Sequence, residues 1–240
     1  MARYRRLVIS SILTWEPTVA SRSERQAYAH RRPGRQTARR FFIICEGPTE
    51  VAYFTQLGRT LGKGVIVQST CGKSSAATSV VASAAKRKTG APSQGIDKAS
   101  EQDEVWAVFD WDDRTDQVAK ALQEAKRVGV NVALSNPSFE VWVLWHFHDF
   151  MTTGCTQTQV ESELAKYWRG YEKGHSLDFS RLTVERREDA ISRAARAVIE
   201  HARAGRRYPG ARPSSGIGEL VEHIVGASQQ VQASQEGNKK

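Results

Sequence analysis

Phe41–Glu50 reads FFIICEGPTE, and this stretch decides the fold. The apolar run Phe41 to Cys45 passes straight into Glu46. An apolar run this short, without alternation, reads as a strand buried on both faces, the kind found in parallel sheets. Gly47 suits the turn off the strand, and Pro48 suits the first turn of a helix, where its missing N–H costs nothing. Glu46 is therefore expected at the carboxyl end of a central strand, and Glu50 in the first turn of the following helix. Open α/β sheets bind ligands in that crevice. Glu50 has a second explanation, since an acid there favours the helix N-terminus. Glu46 is harder to explain by structure alone, because a carboxylate at the mouth of a buried strand is costly unless paired.

The chain has 240 residues, enough for one α/β core with an addition or for two small domains. No apolar stretch approaches the roughly 18 residues that span a membrane. Leu7–Leu13 is apolar but short, and Trp15-Glu16-Pro17 follows it, so a secretory signal is not expected. Cys45, Cys71 and Cys155 form no CxxC and suggest neither a zinc site nor a disulfide framework. A reducing cytoplasm is the expected location.

The net charge of +9 is uneven, because residues 1–40 hold ten Arg and two Glu. They read as a basic, mobile arm. Such an arm can bind phosphates, with Arg39 and Arg40 among its nucleic-acid contacts. A solubilising tail, or a start codon placed too far upstream, explains it equally.

Beyond the first helix, Glu50–Leu61, Val65–Ser69 reads as a second strand. Cys71-Gly72-Lys73-Ser74 resembles the tail of a phosphate-binding loop, but Val67 stands where that loop needs glycine. A P-loop is rejected. Lys73 stays a candidate phosphate contact, although an ordinary surface lysine explains it better. Ser75–Lys88 reads as an Ala-rich helix, and Thr89–Gln102 as a loop.

Glu104–Asp110, EVWAVFD, is the second buried strand and runs into Asp110-Trp111-Asp112-Asp113. Aspartates at i and i+2 past a strand end can point into one crevice. Hard cations such as Mg²⁺ take one or two protein carboxylates and keep waters and phosphates. Capping of the helix Thr115–Val128 accounts for Asp113 but does not need Asp110. Val130–Leu134 is a further strand. Ser135-Asn136-Pro137-Ser138-Phe139-Glu140 then opens an apolar helix, with Asn136 as its expected N-cap and Pro137 at its first position. Glu140 is either a partner of that helix's dipole or a third acid at the sheet edge. His146 and His148 read as packing or surface residues.

Repeated strand–helix alternation with acids at strand ends predicts an α/β fold with a parallel sheet flanked by helices over 41–150. Residues 151–227 read as a C-terminal helical appendage, with Thr156–Arg169, Thr183–Ala204 and Ile217–Val225 helical and Gly205–Ser215 a loop. Residues 228–240 read as a disordered tail.

The chain resembles the RloB-like proteins of the wider Toprim-like group. The resemblance rests on Cys45-Glu46-Gly47 with Thr49-Glu50 and Tyr53-Phe54, on Val108-Phe109-Asp110 with Asp112-Asp113, and on Ser135-Asn136-Pro137 with Phe139-Glu140 and Trp142. His146-Phe147, Tyr171-Lys173 and Arg212-Pro213-Ser214 support it. It spans roughly Phe41 to Val225. Trp111 stands where arginine is common, and Arg212 where asparagine is usual.

The resemblance implies a Toprim-like fold with a metal-dependent acidic site. Glu46 is similar to a strand-end glutamate acting as general acid/base or metal ligand. Asp110 and Asp112 resemble paired aspartates that hold Mg²⁺, with Mn²⁺ as a substitute. Glu50 resembles the second glutamate of two-metal nucleases, and Glu140 an outer or second-metal ligand. Lys173, beside Tyr171, joins the nucleic-acid contacts. The implied activity is phosphodiester hydrolysis on DNA or RNA, tRNA included, in bacterial anti-phage defence. A partner ATPase is implied, no membrane is, and a homo-oligomer is left open. A binding or sensor subunit with an idle acidic site is the alternative. A primase-like nucleotidyl transferase would need a nucleotide motif, and none is evident.

Overall fold

A strand of unbroken apolar residues needs cover on both faces and partners on both edges. β1 (Arg39–Cys45) has all of these. Its neighbours are β2 (Val65–Cys71) and β3 (Glu104–Asp110), both parallel to it. Phe41, Ile43 and Cys45 enter one core cluster, and Phe42 and Ile44 enter the cluster on the opposite face. The computed structural model that shows this describes residues 38–62, 65–74, 76–111, 115–171 and 181–237.

The sheet runs β2-β1-β3-β4-β5. β4 (Asn131–Asn136) is parallel to β3, and the two-residue β5 (Ser214–Ser215) is antiparallel to β4. The fold class is therefore α/β with a mostly parallel sheet. α1 (Pro48–Thr60) leaves β1 through Gly47, with Pro48 in its first turn. It packs so closely on β2 that a Cβ on Gly58 would lie 2.9 Å from the Val67 Cβ. α2 (Ala77–Thr89) and α3 (Thr115–Val128) cover the Phe42 face through Val80, Val81, Val118 and Ala121.

The other face carries the rest of the chain. α4 (Glu140–Trp145), α5 (Gln157–Tyr167), α6 (Val184–Arg203) and α7 (Ile217–Gly237) join α1 there. The C-terminal helices follow the sheet as expected, and they share its core. Ile217, Leu220, Val221 and Ile224 of α7 are buried in the same cluster as Phe41 and Ile43. Among the described residues, no helix is long and apolar enough to cross a membrane.

Four boundaries differ from the sequence reading. β1 starts at Arg39, so Arg39 and Arg40 belong to the sheet and not to the basic arm. Residues 1–37 lie outside the described set. Asn136 is the last residue of β4 and not a helix N-cap. A cis peptide joins it to Pro137, and α4 begins only at Glu140. Gly205–Ser215 is not loop throughout, since Ser214 and Ser215 form β5. Finally, α7 continues past Ser228 to Gly237, where a disordered tail was expected. The residues there include Gln, Ala and Glu, which are good helix formers. Ser228 is itself buried, and its hydroxyl donates to the Leu61 carbonyl at 2.8 Å.

Candidate functional site

The carboxyl edge of the sheet gathers the acids. The Glu46 amide donates to the Val108 carbonyl at 3.0 Å, which carries the β1 register one residue past the strand. Glu46 Oε2 then accepts the backbone N–H of Asp110 at 3.0 Å. On the other side, the Trp111 amide donates to the Ser135 carbonyl at 2.7 Å. Asp110 is thus fixed between β1 and β4, next to Glu46. Two of the three predicted catalytic residues lie together. Asp112, the third, falls outside the described residues.

A second group of acids is buried at the same edge. Glu50, in the first turn of α1, is 4% exposed, and Glu140 is fully buried. Glu50 folds back on the turn, so that a Cβ on Gly47 would stand 3.1 Å from its Oε2. Its charge reaches Cys45 and Cys71, register partners on β1 and β2. Burial first, and then Glu50, raises the thiol pKa of Cys45 well above the ordinary range. Glu140 Oε1 accepts the Tyr171 hydroxyl at 2.6 Å. Burial keeps the Tyr171 phenol protonated, and the charge and hydrogen bond of Glu140 act in the same sense, with Glu50 adding to them.

The donor set fits a hard divalent cation in kind. Glu46 and Asp110 offer carboxylate oxygens, and Mg²⁺ asks for only one or two of these from protein. The soft donor Cys45 stays a thiol. Among the described residues, no group of three or more His, Cys, Asp or Glu is placed to hold a metal. The described contacts join Glu46 to Asp110 and Glu140 to Tyr171.

The predicted basic contacts divide. Lys73 is exposed in the turn after β2, at the acidic edge. Arg39 and Arg40 lie at the opposite, amino-terminal end of the strands. Arg39 pairs with Glu104, and Arg40 grips Asp103 with two hydrogen bonds of 2.9 and 2.7 Å. Burial favours protonation of Asp103. Arg40 and the Ser100 amide outweigh that and hold its carboxyl below the ordinary range. These two arginines serve the sheet and stand away from the acids. Lys173 falls outside the described residues. His146 is buried against Trp142 and Tyr53, and His148 stacks on Tyr167, so both are packing residues as read.

A family model described as RloB-like protein matches residues 41–224. The chain belongs to the RloB-like family. No curated protein and no solved structure matches it. The matched span of this RloB-like chain holds every described acid of the site and ends inside α7. Arg39 and Arg40 lie just before it.

Sequence reasoning missed how Asn136 is used. Its Nδ2 donates to the Pro209 carbonyl at 2.8 Å, and its Oδ1 accepts from Arg212 Nε at 2.7 Å. The Tyr208 hydroxyl accepts the Leu134 amide at 2.9 Å and lies 3.2 Å from the Leu134 carbonyl, to which it donates. The end of β4 is thereby tied to a loop more than seventy residues later. The signals available were the loop's richness in Arg, Pro and Ser and the place of Asn136 and Arg212 in the motifs of the family resemblance, neither of which shows that the two residues meet.

Proposed function

We propose that this RloB-like protein is a Toprim-like, metal-dependent nuclease that hydrolyses phosphodiester bonds of DNA or RNA. The observation that carries the reading is the contact of Glu46 with Asp110 at the carboxyl ends of two central parallel strands. Acids there repel a phosphate backbone unless a cation stands between them. Glu46 and Asp110 would hold Mg²⁺ or Mn²⁺, with Asp112 two residues on. When bound, the cation activates water and neutralises charge on the phosphate. Glu46 takes a proton from the attacking water on its carboxylate as the water oxygen bonds to phosphorus; the bond from phosphorus to the leaving sugar oxygen breaks, and that oxygen takes a proton from solvent. The Asp110 N–H fixes the orientation of that carboxylate. Lys73 faces the same edge and attracts the backbone.

Family membership supports a setting in bacterial anti-phage defence, with an ATPase as partner. The alternative reading is a non-catalytic binder or sensor, in which Glu46 and Asp110 only secure the strand ends.

The test is incubation of the full chain with labelled tRNA, single-stranded DNA and plasmid, in Mg²⁺, Mn²⁺ or EDTA. Cleavage is expected with metal and not in EDTA, and Asp110→Asn should lower it by about two orders of magnitude or more. Cleavage by Asp110→Asn at the wild-type rate would rule out this site. Binding without cleavage under every condition would leave the sensor.

A further inference from the structure

The loop between α6 and β5 gathers three arginines around one hollow. Arg206, Arg207 and Arg212 line an open concavity of about 350 Å³, together with Thr153 and Gly154. No acid lines it.

The platform is fixed from several sides. Tyr208 is bonded to the backbone of Leu134, and Asn136 holds the Pro209 carbonyl and Arg212. Arg206 Nε donates to His201 Nδ1 at 3.0 Å, so the ring N–H lies on Nε2, which donates to the Pro213 carbonyl at 2.8 Å. The Ser214 hydroxyl donates to the Ala211 carbonyl at 2.7 Å. A Cβ on Gly216 would strike the Tyr208 hydroxyl at 2.5 Å, so the seat of Tyr208 depends on glycine there.

Part of the charge on this platform, that of Arg206 and Arg207, is left available by the described contacts. Arg207 is exposed and makes no side-chain hydrogen bond or ion pair among the described residues. Arg206 spends only its Nε. A rigid loop that presents guanidinium groups around a hollow suits phosphate oxygens, because the planar fork matches them.

Position gives the concavity its meaning. Ser135 is the register partner of both Asp110 on β3 and Ser215 on β5. The arginine loop therefore enters the sheet two strands from Asp110, at the same carboxyl edge. Two strand spacings are about 10 Å.

We propose that Arg206, Arg207 and Arg212 bind a backbone phosphate of the nucleic acid, flanking the phosphate presented to Glu46 and Asp110. This rests on the nuclease reading for the second half of the statement only. The acids need a cation to tolerate a phosphate, whereas the arginines hold one directly. The strand is thus anchored beside the reacting bond, and the contact is to backbone, so it is blind to base sequence.

Arg207 is the residue to change, since Arg206 and Arg212 also hold His201 and Asn136. The experiment measures binding of a labelled single-stranded oligonucleotide and a labelled duplex to the full chain in EDTA, across a salt series. Arg207→Ala should weaken binding to the preferred probe roughly five- to tenfold and lower the log–log salt slope by about one. Arg207→Glu should weaken it further, and both variants should melt where the wild type melts. Lys126→Ala, an exposed basic change on α3, should leave affinity and slope unchanged. Arg207 variants with wild-type affinity and slope for both probes overturn the proposal, as does a wild type that binds neither. Cleavage separates the two readings. A Glu46-dependent nuclease indifferent to Arg207 sinks the arginine site alone. Arg207-dependent binding by a protein that never cuts supports that site and sinks the nuclease.

Discussion

The backbone N–H of Asp110 donates to Glu46 Oε2 at 3.0 Å, a bond across sixty-four positions of sequence. One carboxylate is thereby oriented by the residue that carries the other. Like charges gathered at one sheet edge raise each other's free energy, and a cation between them relieves it.

A prediction follows for Glu46. Glu46→Gln keeps an oxygen that accepts the Asp110 N–H and removes one negative charge. Its stability should match or exceed that of the wild type. Glu46→Ala removes the acceptor from a partly buried amide and should cost about 1–2 kcal/mol. Both variants should lose cleavage by about two orders of magnitude or more, the lower range of what a general base supplies. Urea midpoints and cleavage rates measured side by side separate the effects. A Gln variant that cuts normally would reduce Glu46 to a structural acceptor.

Glu140 gives a second prediction, because its bond to Tyr171 can be removed from either end. Tyr171→Phe keeps the ring but takes a donor from a fully buried carboxylate. The loss should be about 1.5–3 kcal/mol, the range for a hydrogen bond to a charged group. Glu140→Gln still accepts from the phenol and should cost less. If Glu140 serves only Tyr171, the Gln variant should cut as the wild type does. A large loss of cleavage at unchanged stability would place Glu140 with the metal-binding acids instead.

The parts of this architecture that the sequence revealed are those set by short-range pattern. An apolar run buried on both faces has a local signature, so β1 and β3 were visible, and with them the strand-end positions of Glu46 and Asp110. Arg39 and Arg40 show the limit. Their sequence context is a run of arginines, whereas their structural context is Glu104 and Asp103 on the far side of a strand crossover. No spacing rule joins residues over sixty positions apart. Asn136 shows it again. Asn-Pro before an apolar segment is a good helix start by local rules, yet Pro209 and Arg212 claim the side chain from another part of the chain. β5 escaped notice because two serines in a polar loop carry no periodicity. The tail of α7 was misread because polarity was taken for disorder, although Gln, Ala and Glu propagate a helix once Leu220 and Ile224 anchor it.

His146 supplies a prediction in pH. The ring is 1% exposed. Its Nδ1 is 2.9 Å from the Trp142 carbonyl, and its Nε2 is 3.5 Å from the Tyr53 hydroxyl. Burial lowers its pKa from 6.5 to about 4, the charges of Arg187 and Arg193 add to this, and the Trp142 carbonyl opposes it. An unfolded chain therefore takes up a proton below pH 6.5, while the folded one refuses it until about pH 4. Within that window the unfolded state binds more protons, so stability falls as pH falls and is fully present above pH 6.5. The slope should approach about 1.4 kcal/mol per pH unit for this one group. Asp103 acts in a separate window. Its depressed carboxyl adds stability that is lost only at still lower pH, below the ordinary carboxylate pKa of about 3.9. His146→Phe keeps a ring against Tyr53 and Trp142 but cannot titrate. It should cost about 1 kcal/mol at neutral pH, through the lost hydrogen bond, and should flatten the profile between pH 6.5 and 4. Urea unfolding of both proteins at several pH values across that window is the measurement. A wild-type profile already flat there, or a variant with the same slope, would show that His146 titrates normally in the folded protein.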